Sequence, residues 1–288
     1  MTPATIRDVA KHANVSTATV SRVLNNTDRV SEETRKKVLE ACTELNYSIN
    51  PIARRLSLGR THMIAVLLPY LTLPSLVERL RGVQYALDES GYDLVPFSVG
   101  SPEKRDQRLI DLSRKSRVDG LLIISLPPTD EQVKRLIDEE IPTVLVDACH
   151  PDLHCLVIDD VQGGLLATKH LIELGHRNIG LITDQLNNAM DFSSTHNRYL
   201  GYRKALDEAG VHFQAHYHKQ GEHGREESRQ MAIELLQLPE PPSAIFATSD
   251  TQAIGVLDAA QVLGIRVPEQ LSVIGYDGIR DAEYLNLT

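Results

Sequence analysis

Cysteine is scarce in this sequence, and long apolar runs are missing from it. Its three cysteines, Cys42, Cys149 and Cys155, have neither the paired spacing of a metal site nor the number of a disulfide framework. We therefore expect reduced thiols, with Cys42 packed on the apolar face of a helix. No apolar segment typical of a secretion signal opens the chain and no run is long enough to span a membrane, which predicts a cytoplasmic protein with no membrane partner.

The motifs of several enzyme classes are missing as well. There is no Gly-x-Gly-x-x-Gly turn after a strand, no phosphate loop with its lysine, and no nucleophile elbow. Asp159 and Asp160 stand side by side, but they lack the surroundings of a phosphatase nucleophile. The sequence therefore predicts a protein that is not an enzyme, with no metal site and no cofactor.

Acidic and basic side chains are divided unevenly along the chain. The 288 residues are 42% hydrophobic and 24% charged, as expected for a globular protein with a substantial core, and their net charge is −9. Residues 1–60 contain ten lysines and arginines against six aspartates and glutamates, a net charge of +4, whereas the remainder carries 20 against 33, a net charge of −13. A basic head on an acidic body predicts that one end of the chain contacts phosphates.

The stretch from Thr5 to Asn25 has the pattern of two short helices joined by a tight turn. Thr5 and Asp8 can form a capping box at the first helix, Asn14 suits the turn, and Ser16 can cap the second helix. The apolar positions recur at helical spacing and are Ile6, Val9, Ala10, Ala13, Val20, Val23 and Leu24. This pattern predicts a helix-turn-helix, whose second helix enters the DNA major groove. An ordinary helical hairpin is the alternative, which the small polar outer face disfavours.

These residues carry a resemblance to a known family. The segment TIRDVAKHANVSTATVSRVLN, from Thr5 to Asn25, closely resembles the headpiece of the lactose/galactose repressor family, and the likeness continues through RVSEETRKKVLEACTELNYSINPIARRL, from Arg29 to Leu56. A motif of this length is far more specific than a short pattern. The resemblance implies a transcriptional regulator, in most cases a repressor, that binds palindromic double-stranded operator DNA as a homodimer.

The resemblance also assigns DNA-facing side chains. Thr17, Ala18 and Arg22 match the family's base-facing positions, and the Arg22 guanidinium suits the two acceptors on a guanine edge. We expect the remaining DNA contacts of the headpiece, mainly with phosphates, from Thr5, Ser16, Thr19, Ser21, Asn25, Ser31 and Thr34.

A basic segment, residues 51–58, follows the headpiece. Alone it is too short to hold as a helix in water, so without the resemblance it is a linker. The resemblance implies a hinge helix that folds on the operator and pairs with its twin. Leu56 would then wedge into the minor groove, Arg54 and Arg55 would lie beside phosphates, and Ala53 would lie on the same DNA-facing surface.

From His62 onward, apolar strands alternate with amphipathic helices. Two successive blocks of this kind predict two lobes with parallel sheets and a cleft at the carboxyl ends of their strands. The predicted strands are Met63–Leu68, Asp93–Val99, Gly120–Ile124, Thr143–Val146, Leu156–Asp159, Asn178–Thr183, one near Tyr217, Ala244–Ala247 and Ser272–Tyr276. This body is also similar to the family's effector-binding core, which is akin to periplasmic sugar-binding proteins. The matching segments are VDGLLI, VIDDVQGG, HLIELGHRNIGLI, NRYLGY, SDTQAIG and VPEQLSVIGYD.

The fold class that we predict is therefore α/β, with a small all-α helix-turn-helix headpiece and a two-lobed, parallel-sheet core like that of periplasmic binding proteins. The expected domains are the headpiece 1–48, the hinge and linker 49–61, the first lobe 62–160 and the second lobe 161–288. Members of the family continue beyond the point where this sequence ends, into pieces that complete the lobes. We accordingly expect either an incomplete second lobe or pieces that this chain can do without.

Side chains for a small-molecule effector follow from the same resemblance. Arg198 and Asp277 match positions that contact the effector across the family. Ser249 and Asp250 open a helix at the end of a strand, where their oxygens could meet a polar ligand. An arginine with carboxylates suits a neutral polyol, such as a sugar, which needs both donors and acceptors.

Two further candidates have alternatives of equal or greater weight. Asp159 lies at the junction of the lobes, where ligand contact and a helix cap are equally good interpretations. His223 follows Gly221-Glu222 and could face the cleft or lie on the plain surface. In addition, Leu73-Pro74-Ser75-Leu76 stands where relatives often have an Asn-Pro-Phe-Phe-like stretch, so an aromatic surface for a sugar ring is not expected at that point.

Alternatives to a repressor stay open at this stage. An activator or a global catabolite regulator of the same family would account for the whole sequence. A solute-binding protein would account for the body but not for the headpiece, and it would need a secretion signal. The identity of the effector, and whether it induces or co-represses, do not follow from the sequence.

Overall fold

The computed structural model describes residues 4–24, 30–48, 60–187, 190 and 192–284. The chain divides into two compact units, Met1–Thr61 and His62–Thr288. The helices of the first unit, within the described residues, are α1 (Ile6–His12), α2 (Thr17–Leu24) and α3 (Glu32–Glu44).

The N-terminal unit is held by a small apolar core. Val9 of α1, Val20 of α2 and Val38 of α3 are fully buried against one another, with Ala10, Val23 and Ala41 beside them. Cys42 packs at the edge of this core, where burial raises the pKa of its thiol. The predicted helix-turn-helix and the predicted packing of Cys42 are confirmed.

Local side-chain caps explain where these helices begin. The amide of Thr5 donates to the Asp8 carboxylate over 2.9 Å, and the hydroxyl of Thr5 accepts from the amide of Asp8. Ser16 accepts from the amide of Thr19 over 3.0 Å, so α2 is capped as predicted. Asn14 adopts a φ of 51°, the left-handed conformation that the tight turn requires.

The second unit begins with a parallel sheet in the order β2-β1-β3-β4-β5, as far as the described residues show. Its strands are β1 (Met63–Leu68), β2 (Asp93–Ser98), β3 (Gly120–Ile124), β4 (Thr143–Val146) and β5 (His154–Leu156). The helices of this lobe are α4 (Pro74–Leu87), α5 (Pro102–Leu112) and α6 (Asp130–Asp138). Leu67, Ile123 and Leu145 are fully buried between sheet and helices, so the apolar strands form the core of the lobe.

The second lobe repeats the arrangement with the described strand order β7-β6-β8-β9, again all parallel. Its strands are β6 (Ile179–Asp184), β7 (His218–Gly221), β8 (Ala244–Ala247) and β9 (Ser272–Ile274). Its helices are α7 (Asp160–Glu173), α8 (Ser193–Glu208), α9 (Arg225–Leu236), α10 (Asp250–Leu263) and α11 (Arg280–Tyr284). The α/β class with two parallel sheets is thus confirmed. None of the helices in the described part of the chain combines the length and the apolar character needed to cross a membrane.

One strand and one cysteine pair differ from the sequence prediction. The edge strand β5 begins two residues before the predicted strand Leu156–Asp159 and shares only Leu156 with it. Asp159 is not part of the strand, since its carboxylate accepts from the amide of Gln162 over 2.8 Å and caps α7. Cys149 and Cys155, expected as reduced thiols, form a disulfide with their α-carbons 5.2 Å apart. That expectation was wrong because β5 pairs in parallel with β4 and places Cys155 beside the segment that follows β4, an arrangement that a spacing of six residues does not indicate.

Candidate functional site

The strands of both lobes point their carboxyl ends at one cleft of about 650 Å³. This is where doubly wound parallel sheets place their ligands. The charged side chains that line it are Arg79, Asp147, Asp184, Arg198, Glu222, His223 and Asp277.

Arg198 of α8 is a buried side chain of the cleft with several polar partners. It is 6% exposed. Its Nε donates to Asp160 over 2.8 Å, and one terminal nitrogen donates to the carbonyl of Thr248 over 2.6 Å and lies 3.4 Å from Asp277. The guanidinium also stacks 3.7 Å from the ring centroid of Tyr276. Burial alone would lower the pKa of Arg198, but the carboxylates of Asp277 and Asp160 outweigh it and raise that pKa. Arg198 is therefore a fixed cation.

Two glycines bring Asp160 and Arg198 together. Gly164 on α7 and Gly201 on α8 lie where these helices touch, and a β-carbon on either residue would come within 3.0 Å of the backbone of the other helix. The close approach sets the start of α7 beside the first turns of α8. The Asp160–Arg198 pair thus follows from the packing of the two helices.

Asp277 follows β9 and faces Arg198. Its side chain is 12% exposed, and its backbone has a φ of 105°, a conformation that a residue with a β-carbon rarely adopts. Burial raises the pKa of Asp277 to about 6, with Asp250 acting in the same direction and Arg198 and Arg79 opposing it. The carboxyl group therefore changes its charge close to neutral pH.

A second polar group of the cleft is built on Asp184, the last residue of β6. Its carboxylate lies 3.0 Å from Nδ1 of His223 and accepts from the Gln252 amide over 2.8 Å. Gln252 is fully buried and is itself oriented by the hydroxyl of Thr248, which donates to it over 2.9 Å. Burial lowers the pKa of His223, but the hydrogen bond and charge of Asp184 outweigh burial and raise it. His223 is thus biased toward the imidazolium form, with Nδ1 donating to Asp184.

The first lobe contributes an ion pair at the ends of β3 and β4. Arg79 lies 2.7 Å from Asp147, and the hydroxyl of Ser125 donates to the same carboxylate over 3.2 Å. Ser125 and Asp147 directly follow their strands and have φ values of 56° and 55°. These left-handed residues end the strands and leave both side chains in the lining of the cleft.

The cleft has aromatic rings, although the Leu73–Leu76 stretch does not supply them. Tyr70 and Phe192 both line it, with ring centroids 6.2 Å apart and planes inclined at 67°. Leu73–Leu76 indeed supplies no ring. The aromatic surface comes instead from segments after β1 and before α8, which are distant in sequence.

Four of the predicted effector residues, Arg198, His223, Ser249 and Asp277, lie in the lining of the cleft. Two do not, and these predictions are corrected. Asp159 is exposed and caps α7, because its carboxylate accepts the free amide of Gln162. Asp250 is 4% exposed, and its carboxylate accepts from the amide of Ile279 over 2.9 Å, so it holds the turn after β9.

Several residues of the lining were not predicted from the sequence, namely Arg79, Asp147, Asp184 and Glu222. A signal for two of them was present: Asp147 directly follows β4 and Asp184 ends β6, and acidic residues at the carboxyl ends of parallel strands meet at a cleft. Arg79 lies within α4, and nothing in the pattern of that helix distinguished it from a solvent-exposed arginine.

The predicted DNA-facing residues lie on the surface of the headpiece as far as they are described. Thr17, Ala18 and Arg22 are exposed on α2, on the side away from buried Val20 and Val23. The other described members of the set, exposed or half-buried, are Thr5, Ser16, Thr19, Ser21, Ser31 and Thr34. Asn25, Ala53, Arg54 and Leu56 lie outside the described residues.

Known proteins share both parts of this chain. Residues 5–50 match the family described as bacterial regulatory proteins, lacI family, and residues 168–287 match a periplasmic binding protein-like domain. The HTH-type transcriptional repressor PurR of Haemophilus influenzae (strain PittEE) is 36% identical over 284 residues, 98% of this chain and 83% of the relative. The HTH-type transcriptional regulator DegA of Bacillus subtilis (strain 168) is 36% identical over 286 residues, 97% of this chain and 83% of the relative.

Solved structures of similar proteins have the same architecture. A Lac repressor dimer bound to operator and the anti-inducer ONPF is 28% identical, with a TM-score of 0.83 over 98% of this chain and 84% of that one. The transcriptional regulator CelR in complex with cellobiose is 31% identical, with a TM-score of 0.67 over 98% of this chain and 85% of that one. The relatives named above are transcriptional regulators. With a helix-turn-helix headpiece and a two-lobed core matched along nearly its whole length, this chain belongs to the LacI family of DNA-binding transcriptional regulators.

Proposed function

We propose that this protein is a repressor that binds a palindromic operator as a homodimer under the control of a small polyhydroxyl effector in the cleft. The observation that carries this proposal is the cleft itself, where Arg198, held between Asp160 and Asp277, faces the Arg79–Asp147 pair on a chain that also has a helix-turn-helix. The protein acts on DNA in the cytoplasm and is not an enzyme. We assign DNA binding to residues 1–48, the hinge to 49–61, and the two lobes to 62–160 and 161–288.

The charges of the cleft favour an uncharged ligand. Each described cation of the lining already lies beside a carboxylate: Arg79 beside Asp147, Arg198 beside Asp160 and Asp277, and His223 beside Asp184. A phosphate or carboxylate ligand would have to break one of these pairs and would meet the remaining acidic side chains. Hydroxyl groups can donate to the carboxylates and accept from the guanidinium groups without doing so.

Size and apolar surface agree with a sugar or a related metabolite. The volume of about 650 Å³ is within the range of small-molecule sites. Tyr70 and Phe192 offer ring surface to the C–H face of a sugar. The similar regulator CelR binds cellobiose, which supports the same ligand class here.

On the DNA side, we assign base contacts to α2 and phosphate contacts to the helix ends. Arg22 would donate to a guanine edge in the major groove, while Thr17 and Ala18 would allow close approach of the helix. Leu56 and Arg54 of the hinge would contact the minor groove and its phosphates. Effector in the cleft would shift the equilibrium between two arrangements of the lobes. That shift would favour or disfavour the paired hinge helices. The sign of regulation then depends on which arrangement binds the effector more tightly.

The test is a gel-shift titration on a palindromic duplex selected by the protein from a randomised pool. We expect specific binding that weakens steeply with salt and changes by at least tenfold with one neutral sugar of a panel. The panel contains monosaccharides, disaccharides, the matching sugar phosphates and nucleobases. A protein that retains no duplex at low salt contradicts the regulatory function. A response to sugar phosphates or nucleobases alone contradicts the ligand class.

A further inference from the structure

We propose that Cys149 and Cys155 form a reversible disulfide through which oxidation acts on the effector cleft, an inference that rests on the proposed function. Their α-carbons are 5.2 Å apart, within the range that a disulfide spans without backbone movement. Both residues are exposed, so small oxidants and reductants can reach them. In the cytoplasm thiols are kept reduced, and the disulfides that do form there are usually transient and redox-sensing.

In sequence, the disulfide lies between the two aspartates that form ion pairs with the arginines of the cleft. Asp147, two residues before Cys149, pairs with Arg79. Asp160, five residues after Cys155, pairs with Arg198. The segment 147–160 is therefore both the site of the disulfide and the connection between the two charged groups on opposite sides of the cleft.

Within this segment, the edge strand β5 is the weakly held element. It has three residues, all exposed, and in the described structure it pairs with β4 alone. The carbonyl of Leu156 accepts the amide of Asp147 over 2.9 Å, so β5 also supports the backbone of a residue that lines the cleft. An element with few buried apolar contacts opens at a small free-energy cost.

The disulfide opposes that opening. Cys155 is the central residue of β5, and its bond to Cys149 ties the strand to the turn that follows β4. A covalent link between these points removes open conformations in which β5 leaves the sheet. We therefore assign the ordered cleft to the oxidised form and a looser segment 147–160 to the reduced form.

The chemistry is thiol–disulfide exchange with a low-molecular-weight disulfide such as oxidised glutathione. One cysteine thiolate attacks a sulfur of that disulfide, which breaks its S–S bond and releases one thiolate. The second cysteine thiolate then attacks the protein sulfur of the mixed disulfide and releases the other. Two electrons pass from the cysteines to the small disulfide, and the two cysteine protons end on the two released thiols. Reduced thiols in excess reverse both steps.

The first measurement is a thiol titration of the whole chain equilibrated in mixtures of reduced and oxidised glutathione. We expect two of the three thiols to be lost together as the buffer becomes oxidising, while Cys42 can still be labelled after denaturation. C149S and C155S each prevent the intrachain bond. An oxidised buffer that leaves all three thiols free, or that leaves only mixed disulfides with glutathione, overturns the proposal.

The second measurement compares the oxidised and reduced forms by hydrogen exchange and by gel shift. Exchange across residues 147–160 is expected to be at least fivefold slower in the oxidised protein. Affinity for the selected palindromic duplex is expected to differ at least threefold between the two forms. C149S should abolish both differences, and C42S, which removes a thiol of the headpiece instead, should keep them.

Equal exchange rates, equal operator affinities or a redox response that survives in C149S would overturn the regulatory role of the pair. Absence of operator binding in both redox forms is a different result. It would contradict the proposed function, while the thiol titration and the exchange measurement would still decide whether the disulfide orders the segment.

Discussion

The backbone carbonyl of Arg198 lies so close to Gly164 that a β-carbon on residue 164 would come within 3.0 Å of it. The two residues belong to neighbouring helices, α8 and α7, and this contact brings Asp160 to Arg198. A glycine that touches no ligand thus sets the position of the central cation of the cleft.

Gly164→Ala should separate α7 from α8. We expect a loss of about 1–3 kcal/mol in the free energy of unfolding, because the added methyl group overpacks a backbone contact. Effector affinity should fall with it, since Arg198 moves away from Asp160. Urea unfolding and the gel-shift response measure both effects.

Gly82→Ala is the matched control. This glycine lies within α4 with nothing near its added β-carbon, so the change should stabilise the helix by up to about 1 kcal/mol. Equal effects of the two substitutions would contradict the role of Gly164.

The raised pKa of Asp277 predicts a pH dependence of stability. An aspartate in the unfolded chain titrates at about 3.9, whereas burial raises the pKa of Asp277 to about 6 in the folded protein. Between these values the folded state binds more protons than the unfolded state, so this group stabilises the protein below about pH 4. That contribution is lost as the pH rises through 6 and is at most about 3 kcal/mol.

Asp277→Asn removes this titration. The difference in unfolding free energy between the wild type and D277N should therefore fall between pH 4 and pH 6 and stay constant above pH 7. Urea unfolding of both proteins at half-unit pH steps measures it. A difference that does not change with pH would show that Asp277 titrates alike in the folded and unfolded chains.

Substitution of Asp159 distinguishes a role in capping α7 from a role in effector binding. Asp159→Ala should reduce the free energy of unfolding by about 1 kcal/mol, because the amide of Gln162 loses its acceptor at the start of α7. Effector affinity should stay within twofold of the wild type, since Asp159 does not line the cleft. Urea unfolding and effector titration measure the two quantities. Asp159→Ser, which restores a capping oxygen, should recover most of the stability, and a tenfold loss of effector affinity in D159A would contradict the corrected assignment.

Arg22 carries the prediction for DNA. Arg22→Ala should weaken operator binding by about 1–3 kcal/mol and should relax the preference at one base pair of each half-site. Gel shifts on the selected duplex and on its single-base variants measure both effects. Lys134→Ala is the control and should leave DNA binding unchanged, because Lys134 is an exposed residue of α6 in the first lobe. Equal weakening on every duplex would mean that Arg22 contacts phosphate rather than a base.

Features encoded over a few adjacent residues could be predicted. The capping box of Thr5 and Asp8, the left-handed turn at Asn14 and the buried strand Gly120–Ile124 lie where the pattern placed them. Each depends on hydrogen bonds or on burial periodicity within one helical turn or one strand. Arg198 and Asp277 came from a different source, because only the family resemblance indicated them.

The remaining parts of the cleft join side chains that are far apart in sequence. Arg79 meets Asp147 and Tyr70 meets Phe192 only after the strands have paired. Cys149 and Cys155 are close in sequence and lie outside the lining, but they too meet only when β5 pairs with β4. Asp250 illustrates the same limit from the other direction. Its position at the start of a helix suggested a ligand contact, but the turn after β9 folds over it and takes its carboxylate.

Local sequence patterns suffice to predict the class of this protein, because the helix-turn-helix and the alternation of strands and helices follow from local periodicity and local caps. Which charges face one another in the cleft and which cysteines meet depends on how the elements pack. Ion pairs, aromatic contacts and a disulfide depend on distances between side chains, and those distances are set by how sheets and helices pack. The contact between Gly164 and Arg198 is an example. Their distance along the chain does not indicate that they touch, but the contact positions the Arg198 guanidinium in the cleft.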